Sequence, residues 1–403
     1  MIHLLLAALL LSPGTVGPLP FSIQATEDVS RDFPGAPRLQ SFSFAQWKGH
    51  WLFIGGRIAG YHGVGGGIAD FLRADANKDV WVVDTNVRPA RTYHAPVAQF
   101  TANSDVADEW TAAGQYYAQD GADLYIGGGY GENHLGKWVT FPLISRVNVP
   151  ALIDGVMRGH LPADAISSAS TPDVQSAGGA LVKLSDGYFY LVMGHVFMGS
   201  YTAFEGHGEH NAQEASQTYL NEIRKLKITG SGPGKLAVRC LETYTHPTEF
   251  HRRDLNAVQM ISSAGIGLAV YGGVFTPDTQ LGYSKPIFLF PGSAPVVDPV
   301  FEQKLNAYNT AHMAMYEKRT STMYTTFFGG ISRYQWDPAA RTFTEFPKVG
   351  TKSTPVYLDG MEWSDQISTV SCVMPPGAGH ATEAVHPASL PAFVGAEGVF
   401  IPN

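Results

Sequence analysis

Cysteine and charge are both scarce in this chain of 403 residues, and each scarcity excludes a class of protein. Two cysteines, Cys240 and Cys372, are too few for a disulfide framework or a cysteine-rich zinc site. Charged residues make up 15% of the chain, against about 25% in a typical globular domain. The net charge is −8, and no basic stretch supplies the footprint of a nucleic-acid-binding protein. We therefore expect no nucleic acid as a partner.

Long apolar runs are equally scarce, and the clearest one lies at the N-terminus. Residues 1–11 read MIHLLLAALLL and are followed by a stretch rich in proline and glycine. This run has the length of the apolar region of a signal peptide and falls short of the roughly 20 residues that span a membrane. The sequence predicts a signal peptide at 1–20, a lead segment at 21–37 and one domain at 38–403. It predicts a secreted, periplasmic or cell-surface protein with no membrane span in the mature chain.

Glycine and aromatic residues are abundant instead. The chain has 44 Gly, 26 Pro, 22 Phe, 18 Tyr and 7 Trp. A hydrophobic fraction of 44% is typical of a folded chain rather than a disordered one. Because the helix breakers are spread evenly, a helical bundle is disfavoured, and the sequence predicts an all-β fold with many tight turns.

Five segments repeat one pattern, in which an apolar β-rich run ends in a pair of small residues. Another β-rich run and a turn precede each segment, and a further one follows it, so each unit has the strands of a β-propeller blade. Glycine at the end of an inner strand allows neighbouring backbones to approach closely. The segments are HWLFIGGR at 50–57, DLYIGGGY at 123–130, YFYLVMGH at 188–195, GLAVYGGV at 267–274 and MYTTFFGG at 323–330.

The Gly-Gly pairs at 55–56, 127–128, 272–273 and 329–330 resemble the markers of the kelch-repeat family. The resemblance runs from about residue 38 to the C-terminus. It implies an all-β, kelch-like β-propeller with five marked blades, or six if the stretch between the last and first markers holds another. The segment FVGAEGVFIPN at 393–403 is predicted to be a strand that closes the ring with N-terminal residues. The stretches GGRIAGYHG, FHRRDLNAV and TTFFGGIS also resemble secreted bacterial kelch-like proteins of unassigned function, which implies a location and no chemistry.

Candidate site residues follow the glycine pairs or precede the first strand of a blade, since both places meet at one end of a propeller. Arginine binds carboxylates with a planar fork, and tyrosine rings stack on sugars, so we expect an anionic ligand such as an acidic saccharide. Histidine and tyrosine can transfer protons, so the expected proton-transfer residues are His62, His195 and Tyr334. The expected ligand-binding residues are Arg57, Tyr61, Tyr130, His251, Arg252, Arg253, His312 and Arg333.

Structural roles are the alternative for several of these residues. Arg57 would pair with a carboxylate, His195 would be a hydrogen-bonded core residue, and Asp254 would hold Arg252 or Arg253 at a corner between blades.

Two other functions also stay open. A metal-dependent pocket would draw on His134, His195, His207, His210 and His312, although no motif identifies a metal or any other cofactor. A non-catalytic module would present its loops to a protein partner, because a fold does not define a function. No G-x-S-x-G motif occurs, so the sequence leaves enzyme and binding protein undecided.

Overall fold

The structure is a computed structural model and describes residues 19–25, 33–60, 71–159, 161–162, 164–200, 215–230, 235–263, 265–350, 358–376 and 381–401. These residues form an all-β fold with two short α-helices, which confirms the prediction of an all-β chain. None of the helices in the described ranges has the length and apolarity that crossing a bilayer would require. Both cysteines are free thiols, and Cys372 is buried.

The strands of the first half of the chain alternate with the two helices, α1 (Ser104–Glu109) and α2 (Val149–Arg158). They are β1 (Ser43–Trp47), β2 (His50–Ile54), β3 (Asp79–Asp84), β4 (Arg91–Pro96), β5 (Ala113–Asp120), β6 (Asp123–Glu132), β7 (Trp138–Thr140), β8 (Leu143–Asn148), β9 (Ile166–Ser170), β10 (Ala180–Lys183), β11 (Phe189–Val192) and β12 (His195–Met198).

The second half of the described chain contains strands only. They are β13 (Ser216–Tyr219), β14 (Glu222–Thr229), β15 (Ala237–Thr245), β16 (Arg253–Ser262), β17 (Gly265–Val274), β18 (Ile287–Leu289), β19 (Val296–Val297), β20 (Ala311–Glu317), β21 (Thr322–Ser332), β22 (Tyr334–Asp337), β23 (Thr342–Glu345), β24 (Lys348–Val349), β25 (Leu358–Asp359), β26 (Glu362–Val373) and β27 (Ala381–Ser389).

Five antiparallel sheets follow one another along the chain. Sheet 1 has the order β1-β2-β3-β4, sheet 3 the order β10-β11-β14-β15, sheet 4 the order β16-β17-β18-β19 and sheet 5 the order β20-β21-β26-β27. Sheet 2 has seven strands in the order β13-β12-β7-β6-β8-β9, with β5 also paired to β6. The pairs β22-β23 and β24-β25 stand apart from them.

Consecutive sheets pack against each other through apolar faces. Leu52 of sheet 1 and Ile126 of sheet 2 share one cluster with the buried side of α2, and Leu181 of sheet 3 packs with Tyr116 of sheet 2. Further clusters join sheet 3 to sheet 4 and sheet 4 to sheet 5. The core therefore consists of layers between successive sheets, because inner strands such as β11 and β17 bury both of their faces.

The glycine pairs are the points of closest approach between sheets. Gly272 has φ of +59°, and a Cβ there would lie 2.2 Å from the carbonyl oxygen of Ala307, in the connection that leads into sheet 5. Only glycine tolerates both the conformation and the proximity. In sheet 2 the equivalent pair is Gly128-Gly129, one residue later than predicted, because the Gly129 amide makes the bond to the next connection.

The C-terminal segment 390–401 differs from the prediction. It contains one isolated bridge, between Thr310 and Ala396, and otherwise no strand. It runs alongside sheet 5, where Ala311 donates to the Gly395 carbonyl at 3.1 Å. The predicted C-terminal strand is therefore wrong, because the segment bonds through single residues and through the Glu397 side chain rather than through a ladder.

Candidate functional site

One cavity of about 220 Å³ is bordered by all five sheets, and we call it the shared cavity. Each sheet contributes residues at or just before its first strand, and the C-terminal segment contributes the rest. In β1 the twofold alternation of a strand buries Ser43 and Ala45 and leaves Phe42 and Phe44 to border the cavity. The other lining residues are Ser41, Gly114, Gln115, Tyr117, Gly178, Gly179, Asp254, Leu255, Asn309, His312, Glu397, Gly398, Val399 and Phe400.

Two carboxyl groups, Asp254 and Glu397, lie at the shared cavity. Glu397 Oε2 accepts hydrogen bonds from Gln40 Nε2 and Ser41 Oγ, and Tyr308 donates its hydroxyl to Glu397 Oε1 at 3.3 Å. Burial, together with the nearby charge of Asp254, raises the pKa of Glu397 to about 7. Burial also raises the pKa of Asp254, although the neighbouring Arg253 guanidinium opposes this rise. A carboxyl with a pKa near neutrality can both accept and donate a proton at physiological pH.

His312 lies at the shared cavity, as a residue that the sequence predicts for ligand binding. Its Nδ1 is 2.9 Å from the carbonyl oxygen of Thr310, so Nδ1 carries a proton and donates it. Burial lowers the pKa of His312, which favours the neutral ring with Nε2 as an acceptor.

Arg253 borders the cavity indirectly, because its Nη1 lies 3.2 Å from Asp254 Oδ2. It is also hydrogen-bonded to Tyr219, whose ring stacks on His251 with centroids 3.8 Å apart. His195 is buried next to this group and pairs with Gln217 Nε2 through Nδ1 at 2.6 Å. Burial, with the Arg253 charge as a second cause, holds the pKa of His195 well below its usual value. The structure thus brings three predicted residues, His195, His251 and Arg253, into one cluster.

Arg252 is fully buried and serves the fold. Its Nη1 donates to the Gly272 carbonyl at 2.8 Å, and its Nη2 donates to the Lys285 carbonyl at 2.9 Å and to Glu249 at 2.8 Å. The guanidinium also lies 4.2 Å from the centre of the Tyr283 ring. Burial lowers the pKa of Arg252 to about 10. These contacts engage the Arg252 guanidinium within the fold, and Arg252 does not line the shared cavity. This agrees with the structural alternative given above for residues 251–254.

Arg57 and Tyr130 lie at a second, much smaller cavity of about 10 Å³. The Arg57 guanidinium is buried, 4.5 Å from the Phe71 ring, and Tyr130 donates its hydroxyl to the Gly199 carbonyl at 2.6 Å. Next to them, His134 Nδ1 lies 2.6 Å from Asp108 Oδ2. This histidine, named above as a candidate metal ligand, is therefore a hydrogen-bond partner of Asp108.

Arg333 and Tyr334 are at a third place. Arg333 lines a cavity of about 300 Å³ together with Glu249, Asp278 and Lys285, and its Nε donates to Glu345 at 2.5 Å. Its guanidinium lies 5.4 Å from the Tyr334 ring. The predicted arginines Arg57, Arg252 and Arg333 therefore do not converge on one point.

Four predicted residues, Tyr61, His62, His207 and His210, lie outside the described residues. Across the described ranges, no group of three or more His, Cys, Asp or Glu side chains is placed to hold a metal ion.

The sequence reasoning missed Glu397 and Tyr308, and it named Asp254 only as a partner of arginine. One signal was available for Asp254 and Asn309. Each lies at the entry to a first strand, so the two positions are equivalent in neighbouring sheets. No such signal marks Glu397, which comes from a segment without regular structure.

Comparisons with known proteins were made at three levels. No family model matches the chain, and no curated protein matches it. Among solved structures, one described as "Structure of YjhT" is similar with a TM-score of 0.44 and 12% sequence identity, covering 74% of this chain and 75% of that one. A similarity at this level assigns no family.

Proposed function

We propose that the protein is a secreted, kelch-like β-propeller of five blades that binds a saccharide in the shared cavity. The five sheets would be the blades, and the bonds of the C-terminal segment to sheet 5, Gln40 and Ser41 would complete the ring. One observation carries the proposal. Residues at or just before the first strand of every one of the five sheets border a single cavity, which is where a propeller would gather a small ligand.

The lining suits a sugar ring. Phe42, Phe44, Tyr117 and Phe400 provide aromatic surface for the apolar face of a sugar, and Phe400 is held by stacking on Phe328 at 5.9 Å. Carboxyl oxygens, the Asn309 amide and the His312 ring provide acceptors for hydroxyl groups. The volume of about 220 Å³ is below the roughly 300–1,000 Å³ of pockets for drug-sized ligands, which favours one sugar ring over a longer chain.

Isothermal titration calorimetry with the mature chain and a panel of neutral, acidic and amino monosaccharides tests the proposal. Phe400→Ala is expected to weaken binding by about two- to tenfold, because an aromatic contact is worth about 0.5–1.5 kcal/mol. Phe393→Ala is the matched control, since Phe393 is 65% exposed in the same segment and does not line the cavity. Absence of binding across the panel, or equal losses in the two variants, would contradict the proposal.

A non-catalytic interaction module is the second candidate. Arg57 and Arg333 lie at separate cavities and Arg252 is fully buried against carbonyl groups, which favours this module over an enzyme built around an anionic substrate. This function predicts that no monosaccharide binds in the same titrations and that Phe400→Ala still binds its protein partner. The same variants therefore separate the two functions.

A further inference from the structure

The side chains at the shared cavity that can carry a charge near neutral pH are mainly acidic. Asp254 and Glu397 are acids, His312 and Tyr117 are neutral donors or acceptors, and the described lining includes no Lys or Arg. This differs from the cationic pocket that the sequence predicts, since the predicted arginines lie elsewhere or are engaged behind the lining.

Glu397 has hydrogen-bond donors but no cation of its own. Its partners Gln40, Ser41 and Tyr308 are all neutral. In the described part of the chain, no Lys, Arg or His nitrogen lies within 4.0 Å of its carboxylate; the ion pairs found there involve other acids. A carboxylate held away from water without a counter-charge carries a desolvation cost that a bound cation would offset.

The shared cavity has more carboxyl groups than cations beside it in the described chain. The cavity has two carboxyl groups, and the guanidinium of Arg253 pairs with one of them, because its Nη1 lies 3.2 Å from Asp254 Oδ2. Arg253 is held by other contacts as well, since it is hydrogen-bonded to Tyr219 and lies 4.7 Å from the Phe275 ring. It does not line the cavity. The site therefore lacks one positive charge on the side that faces a ligand.

We infer that the shared cavity selects an amino sugar, with its ammonium group against Glu397 and Asp254 and its ring against the aromatic wall. The inference rests on the proposed saccharide-binding function and names the class of saccharide. An ammonium group donates three hydrogen bonds and pairs with carboxylates, whereas a uronate would add a third negative charge to the two already present. A neutral sugar would make the hydroxyl contacts alone.

The test compares sugars that differ in charge while keeping the same ring. Glucose, glucosamine and glucuronate, and their galacto and manno counterparts, are titrated into the unmodified protein at about pH 7.4, where Glu397, whose pKa is about 7, is mostly ionised. An amine whose pKa is about 7.7–8.0 is still mostly protonated there. Within at least one series, the amino sugar is expected to bind at least tenfold more tightly than the neutral sugar, and the uronate most weakly.

Two variants locate the preference. In Glu397→Gln, the amino sugar is expected to bind no more tightly than the neutral sugar of the same series. Glu383→Gln is the control, because Glu383 is another buried carboxyl, which accepts from the Lys304 and Leu305 amides away from the cavity.

The outcomes separate this inference from the function beneath it. Equal binding of amino and neutral sugars, or a preference for the uronate, overturns the inference and leaves saccharide binding intact. A preference that survives both Glu397→Gln and Asp254→Asn also overturns it. No binding by any sugar removes the inference and the proposed function together. The comparison of unmodified protein needs no variant, so a poorly folded variant does not prevent the decision.

Discussion

The amide of Gly330 donates to the carbonyl of Val394 at 2.9 Å, and this bond ties sheet 5 to the C-terminal segment. Every large sheet makes the equivalent bond to the segment that enters the next sheet, from the second residue of its glycine pair or, in sheet 3, of the Met193-Gly194 pair. The other four bonds run from Gly56 to Ala112 at 2.8 Å, Gly129 to Ser176 at 2.9 Å, Gly194 to Arg252 at 2.9 Å and Gly273 to Ala307 at 2.6 Å.

This regularity gives the C-terminal segment a specific role. At the fifth bond, Val394 stands where the entry segment of a following sheet stands in the other four. Three residues later, Glu397 bonds to Gln40 and Ser41, which lead into sheet 1. The segment therefore links sheet 5 to sheet 1 and brings a carboxyl group to the shared cavity at the same time.

Replacement of Gly272 tests whether the glycine pairs hold the sheets together. Gly272→Ala is expected to lower the free energy of unfolding by more than about 3 kcal/mol, because strain at positive φ adds to the clash with the Ala307 carbonyl at 2.2 Å. Gly292→Ala is the control, since Gly292 also has positive φ but no atom within 4 Å of the added Cβ. It should cost about 1–2 kcal/mol. Urea unfolding followed by tryptophan fluorescence measures both, and equal losses would contradict the role given to the pair.

The repeated pattern could be predicted because its cause is local. A glycine pair at the end of an apolar run indicates a left-handed backbone conformation and a close backbone neighbour. Gly272-Gly273 has both features. His312 could be predicted for the same reason, since its place on the first strand of a repeat follows from the pattern.

The chemistry of the site could not be predicted in this way. Glu397 is hydrogen-bonded to Ser41, which lies 356 residues away in the chain. No local sequence pattern near either residue predicts this contact. Arg252 looks like a loop residue in the sequence, yet its partners at Gly272 and Lys285 belong to another strand and a later connection. Whether an arginine faces a ligand or a set of carbonyl groups is decided by tertiary contacts alone.

Arg252 is expected to affect stability and not ligand binding. Arg252→Ala would leave the Gly272 and Lys285 carbonyls and the Glu249 carboxylate without their donor, at a cost of about 3–5 kcal/mol in the free energy of unfolding. Arg319→Ala is the control, since the Arg319 side chain is 83% exposed and pairs with Glu317, and it should change stability by less than about 1 kcal/mol. Chemical denaturation gives both values. A folded Arg252→Ala protein with normal stability and lost saccharide affinity would reverse the assignment.

Stability is expected to fall as the pH rises from about 7 to 8, which is above the range where buried His195 and His312, with their lowered pKa values, act in the opposite direction. Burial raises the pKa of Glu109 from 4.5 to about 8, with Ser145 Oγ donating to it at 2.8 Å. Between these values the folded protein binds more protons than the unfolded chain, so raising the pH favours unfolding. Glu383 and Glu397, each with a pKa raised to about 7, act in the same direction.

Glu109→Gln should remove part of this dependence. Between pH 7 and 8 the variant should lose less melting temperature than the unmodified protein, because Glu383 and Glu397 are mostly ionised there and Glu109 is not. Glu317→Gln is the control, because the pKa of Glu317 is lowered by its bond to Thr320, and it should keep the full fall. Differential scanning calorimetry across this pH range measures the melting temperatures. Equal falls in Glu109→Gln and the unmodified protein would show that Glu109 is already charged in the folded protein at pH 7.

Removal of the C-terminal segment tests the link between sheets 5 and 1 and the cavity wall together. A chain that ends at Leu390 loses the Val394 acceptor, the Gly395 bond to Ala311 and the Glu397 bonds to Gln40 and Ser41. We expect a fall in melting temperature of more than about 5 °C, because each net hydrogen bond contributes about 1 kcal/mol and a domain of this size shifts by about 2–4 °C per kcal/mol. Saccharide binding should be lost with it. A chain that ends at Ile401 is the control and should keep both. If the shorter chain bound sugar as tightly as the longer one, the Glu397 carboxyl and the Phe400 ring would have no part in the site, and the ligand would have to contact the first strands alone.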